Sequence, residues 1–286
     1  MVIRKAYAKI NLGLDVKRRL PNGYHEVKMN MQTVDLFDVL TFSEREDTQI
    51  VIHSDSGEIP CNEDNLIYKA AMKLRERTGI ERGISVEIQK RIPVAAGMAG
   101  GSSDAAATLL GLNELLGCGL TQEELERIGV TIGADVPYCI KGGTALSEGI
   151  GEVLTSLPTP PDAVLLIAKP DISVSTKFVY ENLHADQLVS HPDIDGMVEA
   201  IRNQNLKGIC ERMENVLETV TIREYPVISR IKDGMKQGGA VNALMSGSGP
   251  TVFGIFHTVE DAEHVKKELE KENLAKQIFV TRFFNE

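Results

Sequence analysis

The sequence predicts an α+β protein in two domains, and three observations predict it. Strand-like and helix-like segments are mixed along the chain without the regular strand–helix alternation of a doubly wound sheet, so two layered α+β units fit best. The length, 286 residues, is long for one domain and comfortable for two. Leu157-Pro158-Thr159-Pro160-Pro161 packs three prolines into four residues. Such a run fits neither a helix interior nor a central strand, and it sets the expected boundary between residues 1–157 and 158–286.

The elements follow in order. Residues 64–78 read as a helix, capped by Asn62 or Asp64, with Leu66, Ala70, Met72 and Leu74 on its apolar side. Ile84-Ser85-Val86-Glu87-Ile88-Gln89 alternates apolar and polar, the pattern of a half-buried strand. Residues 105–116 form a second helix, closed by Gly117. A third runs from Thr121 to about Ile132, opened by a capping box of Thr121 and Glu124. Past the prolines, 163–168 is a strand, 222–236 a helix, and 240–245 and 251–256 are two strands joined by a glycine turn. A helix over 259–273 leads into a last strand, 277–283. There is no internal repeat and no low-complexity tract.

Composition narrows the function. Hydrophobic residues make up 42% and charged residues 25%, the balance of a globular enzyme. Lys and Arg number 31 against 41 Asp and Glu, a formal charge of −10, which argues against a protein that coats nucleic acid. An anionic ligand stays possible, because a pocket of backbone amides binds phosphate whatever the global charge. Cys61, Cys118, Cys139 and Cys210 form no CxxC pair and stand beside no zinc-spaced histidine. The N-terminus lacks the apolar run of a signal peptide, and the longest wholly aliphatic stretch, Ala163 to Ala168, is too short to span a bilayer. A reduced, cytoplasmic protein is expected, without nucleic-acid or membrane partner, monomeric or homodimeric, its cysteines used for packing.

The most informative segment is Pro93-Val94-Ala95-Ala96-Gly97-Met98-Ala99-Gly100-Gly101-Ser102-Ser103, which follows a strand and opens a helix. Small residues from Ala95 to Gly101 leave the backbone bare, so consecutive N–H groups can approach a polyanion. The unpaired amides and positive dipole end of the next helix point to the same place. Ser102 and Ser103 add hydroxyls able to cap the helix, bind a phosphate oxygen or reach a magnesium ion. A Walker loop is excluded because the sequence contains no Gly-Lys dipeptide, and the Gly97, Gly100, Gly101 spacing is not GxGxxG. Protein-kinase HRD and DFG signatures are absent as well. The alternative is a glycine turn that serves only tight helix–strand packing.

Residues 93–106, PVAAGMAGGSSDAA, resemble the second motif of the GHMP kinase superfamily, which includes galactokinases, homoserine kinases and mevalonate kinases. Two further motifs fall where that superfamily places them: Ala6-Tyr7-Ala8-Lys9-Ile10-Asn11-Leu12-Gly13-Leu14, and Met245-Ser246-Gly247-Ser248-Gly249-Pro250-Thr251-Val252-Phe253. Three motifs in order cover nearly the whole chain. The resemblance implies a nucleotide-binding N-terminal α+β domain and a ferredoxin-like C-terminal α+β domain. It further implies a small-molecule kinase that uses ATP and Mg2+ on an alcohol acceptor. AKINLGLDV (8–16), Asn22-Gly23-Tyr24-His25-Glu26 and Ile132-Gly133-Ala134-Asp135-Val136-Pro137 are similar to one branch in particular. Its members phosphorylate the 2-hydroxyl of a diphosphocytidyl methylerythritol in non-mevalonate isoprenoid biosynthesis. The chain departs from that branch at Ala95-Ala96 and Met98-Ala99, where members often carry more glycine and a leucine, and at Tyr180, where some carry phenylalanine.

The roles that the resemblance implies are specific. Phosphoryl transfer asks for positioning, charge stabilisation and a carboxylate to receive the hydroxyl proton. Asp135 is the implied base and Lys9 its partner, keeping the carboxylate ionised and stabilising the transferring group. Read alone, Asp135 would cap a turn and Lys9 would be a solvated strand-end charge. Asn11 shares the Lys9 face of the strand by period two, within reach of a substrate diol. Tyr24 and Tyr180 are the implied sandwich around a cytosine, with His25 at its edge; alone, Tyr24-His25 would be a surface hairpin. Thr176, four residues before Tyr180, is expected to help hold the substrate. The Ser246–Pro250 turn either closes the glycine loop, touches the nucleotide, or is turn chemistry only. No acidic magnesium ligand can be nominated. The rival functions are a homoserine- or mevalonate-type kinase, or a non-catalytic nucleotide-binding regulator.

Overall fold

The computed structural model describes residues 1–285. Two long strands open the chain, β1 (Val2–Arg19) and β2 (His25–Arg45), joined at Asn22-Gly23. Gly23 takes φ 88°, and the Leu20 N–H donates to the Tyr24 carbonyl at 2.7 Å, closing the hairpin. The chain divides into two compact units, and both long strands contribute to each. The first comprises Met1–Ala8, Leu36–Val94 and Ala99–Gly142; the second comprises Lys9–Asp35, Ala95–Met98 and residues 143–285. Leu157–Pro161, expected to separate the domains, lies inside the second unit. Its prolines end one strand and carry the chain to the next, and a proline run marks a break in backbone pairing, not a loss of contacts.

In the first unit, β3 (Ile50–Ser54) runs parallel to β4 (Gly83–Gln89), which pairs antiparallel with the second half of β2. The expected alternation holds: Ile84, Val86 and Ile88 are buried. Against them pack α1 (Leu66–Thr78) and α2 (Gly100–Leu115), flanked by α3 (Gln122–Val130) and the short α4 (Val136–Lys141). Helix α1 is capped by Asn65, whose side chain accepts from the Ile67 N–H at 2.9 Å, and not by Asn62 or Asp64. The Thr121–Glu124 capping box of α3 is present in full. At Gly111 an added Cβ would fall 2.5 Å from the Phe42 ring, so glycine there lets α2 lie close on the sheet.

In the second unit, the first half of β2 pairs with β5 (Thr144–Glu148), which pairs with β6 (Val153–Leu157). A separate four-stranded antiparallel sheet is built from β7 (Val164–Lys169), β8 (Asn242–Met245), β9 (Val252–Phe256) and β10 (Gln277–Arg282), in the order β10-β7-β9-β8. Helices α5 (Thr176–Glu181), α6 (Ile194–Arg202), α7 (Leu206–Glu211), α8 (Glu218–Glu224) and α9 (Val227–Gln237) lie between β7 and β8, and α10 (Val259–Lys271) between β9 and β10. The first-and-last, third-and-second strand order is that of a ferredoxin-like sheet, as the resemblance implied. All of β7 is buried, which explains its unbroken apolar run. The single helix expected over 222–236 is instead α8 and α9, broken at Tyr225-Pro226, because proline cannot donate the next helical hydrogen bond.

Candidate active site

In the second unit, β1 brings Lys9 and Asn11 together, as period two requires. The Lys9 ammonium donates to Asn11 Oδ1 at 2.8 Å, and both side chains are buried. The Lys9 N–H donates to the Met98 carbonyl at 3.2 Å, tying the strand to residues 95–98 of the glycine loop. The turn between β8 and β9 grips the same loop segment. Ser246 Oγ donates to the Gly97 carbonyl at 3.0 Å. Gly97 sits at φ 71°, and a Cβ there would stand 2.2 Å from the Ser246 carbonyl oxygen. Only glycine fits this left-handed, crowded position. Asn215 fixes the turn from behind, donating through Nδ2 to the carbonyls of Met245 and Gly247 at 2.8 Å each. Of the three roles considered for Ser246–Pro250, closing the glycine loop is a geometric fact.

In the first unit, Ala99 takes φ 58° and turns the chain into α2, so Gly100, Gly101, Ser102 and Ser103 form that helix's first turn. The helix begins five residues earlier than the apolar pattern suggested, because small residues give no periodic signal. Ser103 spends its hydroxyl on the Tyr7 carbonyl at 2.6 Å, a tie to β1 that was not among the roles expected of it. Asp135 stands at the N-cap position of α4, with no side-chain capping hydrogen bond to that helix. A Cβ on Gly133 would approach Ser102 Oγ at 3.8 Å, so the Asp135 turn lies beside the first turn of α2.

Sequence reasoning missed a buried ionic cluster below that turn. Lys90 pairs with Asp38 and, at 2.8 Å, with Asp104, and the three side chains are at most 5% exposed. Burial, opposed by Lys90, pushes the Asp104 carboxyl up to about 7. No local signal marks the cluster, since Asp38 is 52 residues from Lys90 and a lysine at a strand end reads as solvated.

Two of the expected substrate residues, His25 and Tyr180, meet in the second unit. His25, the first residue of β2, and Tyr180, on α5, face each other with ring centroids 5.1 Å apart and planes tilted by 39°. They border a cavity of about 380 Å³ whose other wall includes Lys17, Arg18, Arg19 and His184. Burial, and then the Arg19 guanidinium, hold the His25 imidazole below its ordinary value, so the ring is neutral at pH 7 and offers one donor and one acceptor. Tyr24 is 56% exposed on the hairpin turn. Thr176 opens α5, and its hydroxyl lies 2.8 Å from Ser248 Oγ, linking α5 to the Ser246–Pro250 turn. The arginines were missed because three cations in a row read as a solvated strand end.

Among the described residues, no helix is long and apolar enough to cross a membrane. The GHMP kinases N terminal domain family matches residues 65–143, and the GHMP kinases C terminal family matches residues 197–276. The chain is 54% identical to the 4-diphosphocytidyl-2-C-methyl-D-erythritol kinase of Lachnoclostridium phytofermentans, over 98% of this chain and 96% of the relative. It is 51% identical to the protein of the same name from Lachnospira eligens, over 98% and 97%. A crystal structure of a 4-(cytidine 5'-diphospho)-2C-methyl-D-erythritol kinase superposes with a TM-score of 0.83 at 29% identity, covering 99% of this chain and 100% of that one. The homoserine kinase of Cytophaga hutchinsonii, at 22% identity and a TM-score of 0.79 over 98% and 93%, shares the fold. With both family domains in order and relatives at half identity along its length, the chain belongs to the GHMP kinase family.

Proposed function

We propose that the chain transfers the γ-phosphate of ATP to the 2-hydroxyl of 4-diphosphocytidyl-2-C-methyl-D-erythritol, in the cytoplasmic synthesis of isoprenoid precursors. The observation that carries this reading is the relatives' shared name at 54% and 51% identity over nearly the full chain. The neutral His25 edge beside the Tyr180 ring adds to it, since a cytosine needs both a stacking face and a polar edge, which a small aliphatic alcohol would leave unused.

In this reading the bare amides of residues 95–101 and the first turn of α2 hold the triphosphate. Asp135 accepts the proton of the 2-hydroxyl as its oxygen bonds to the γ-phosphorus. The bond from that phosphorus to the bridging oxygen breaks, and ADP leaves with the electron pair. Lys9, oriented by Asn11, stabilises the charge that develops on the transferring group. Among the described residues no group of three or more His, Cys, Asp or Glu could hold a metal ion. A magnesium ion, when bound, would neutralise phosphate charge, and the Ser102 hydroxyl in the first turn of α2 would be its protein ligand. Tyr180, His25 and Thr176 set the substrate's orientation, and Tyr24, exposed on the hairpin turn, is the remaining ring proposed to stack on the cytosine.

A coupled ADP-release assay over a panel of alcohols tests the assignment. The cytidylyl compound should react, methylerythritol phosphate without the cytidylyl group should react poorly, and homoserine and mevalonate should not react. Faster turnover of homoserine or mevalonate would remove the substrate assignment and leave only the family.

A further inference from the structure

The glycine loop has a neck, and the buried ionic cluster occupies it. The chain enters the loop through Lys90-Arg91-Ile92, and all three backbone N–H groups of this entry donate to carboxylates. The Lys90 N–H goes to Asp55 Oδ1 at 2.8 Å, and those of Arg91 and Ile92 both go to Asp38 Oδ1, the latter at 2.8 Å. The chain leaves the loop through α2, whose fifth residue, Asp104, is buried. Lys90 joins the two sides, donating to Asp38 on the entry side and to Asp104 on the exit side. Directly above it, a Cβ on Gly100 would stand 3.2 Å from Lys90 Nζ and 3.1 Å from Ile92. The ammonium thus supports the first residue of the phosphate-facing helical turn.

We propose that Lys90, with Asp38 and Asp104, is a positioning clamp that fixes the spacing between the two ends of the nucleotide loop and thereby sets affinity for ATP, without touching the nucleotide. The inference rests on the reading that residues 93–103 bind ATP. A cluster that served stability alone would need no lysine aimed at both ends of one loop. Charged groups in a buried network hold their partners within a narrow range of distances, whereas apolar contacts permit sliding. Misplacement of a binding group by about 1 Å is enough to lose about a hundredfold in function.

Lys90→Met removes the tie, and Lys90→Met with Asp104→Asn removes it while leaving Asp38 with its backbone donors and no second unpaired carboxylate. Leu74→Ala, a cavity in α1 within the same unit, serves as a destabilised control. Calorimetric titration of each folded protein with ATP, and separately with the cytidylyl substrate, gives the result. Both clamp variants should bind ATP about tenfold to a hundredfold more weakly while cytidylyl affinity stays within about twofold. Leu74→Ala should keep its ATP affinity despite a lower melting temperature. Normal ATP binding by the folded double variant, or an equal loss in Leu74→Ala, overturns the clamp and leaves the ATP reading intact. Failure of the wild-type protein to bind ATP sinks the ATP reading and the clamp with it.

Discussion

Gly97→Ala isolates the contact between the glycine loop and the β8–β9 turn. The residue sits at φ 71°, and the added methyl would come 2.2 Å from the Ser246 carbonyl oxygen and 3.1 Å from the Gly249 nitrogen. Holding a non-glycine residue in the left-handed region costs about 1–2 kcal/mol. The overlap is with backbone, so the turn must retreat, and the Ser246 hydroxyl bond to the Gly97 carbonyl, 3.0 Å long, is lost. That bond contributes about 1 kcal/mol. Together these disfavour the closed loop by about 2–3 kcal/mol, or about thirty- to 150-fold in ATP affinity. Gly101→Ala is the matched control. Its φ is not positive and its nearest neighbour would be Leu66 Cδ1 at 3.4 Å, an ordinary contact, so ATP affinity should change by less than about threefold. Calorimetry on both, with circular dichroism to confirm folding, is the assay. Equal effects at the two glycines, or normal ATP binding by Gly97→Ala, would refute the argument that loop closure by the turn shapes the nucleotide site.

Other outcomes follow from the same geometry. Asp135→Asn should bind ATP nearly normally and turn over about 10²–10⁴-fold more slowly in a single-turnover experiment, the usual contribution of a positioned acid/base group. Near wild-type rates would take Asp135 out of the mechanism. Tyr180→Ala should weaken the cytidylyl substrate about tenfold or more, since a stacked base contributes about 1–3 kcal/mol, and leave the ATP dissociation constant unchanged. Equal loss of both ligands would place Tyr180 outside a dedicated substrate pocket. Cys210 is 2% exposed and its thiol is pushed up to about 11, chiefly by burial, whereas Cys61 is exposed. At pH 8 only about one Cys210 in a thousand is thiolate, so a thiol reagent followed by peptide mass mapping should label Cys61 long before Cys210. The reverse order would mean that the core around Cys210 opens readily.

The parts of the fold that were legible carry a periodic or capping signal. The strand of Ile84, Val86 and Ile88, the Thr121–Glu124 box and the apolar run that becomes β7 all appear close to where the pattern put them. The first turn of α2 was illegible because Gly100–Ser103 has no apolar periodicity, only tertiary support from Ser103 to Tyr7 and from Lys90 to Asp104. The helix over 222–236 was drawn through Pro226 because the flanking apolar spacing is continuous in phase, while the backbone chemistry of proline is decisive. At the site, Lys9 and Asn11 were paired correctly by the two-residue strand period. The His25–Tyr180 contact, the Asn215 bonds behind the turn and the Lys90 cluster join residues 155, 30 or more, and 14 or more apart in sequence. Such pairs are fixed by topology, and no local pattern encodes them.

The proposed reaction specifies both the hydroxyl that receives the phosphate and the donor that supplies it. The most direct measurement incubates the protein with ATP, magnesium and 4-diphosphocytidyl-2-C-methyl-D-erythritol and identifies the product by mass spectrometry and phosphorus NMR. One added phosphate monoester is expected, on the 2-hydroxyl, formed in equal amount to ADP. ADP released without a phosphorylated cytidylyl product, or a phosphate found on a different hydroxyl, would contradict it.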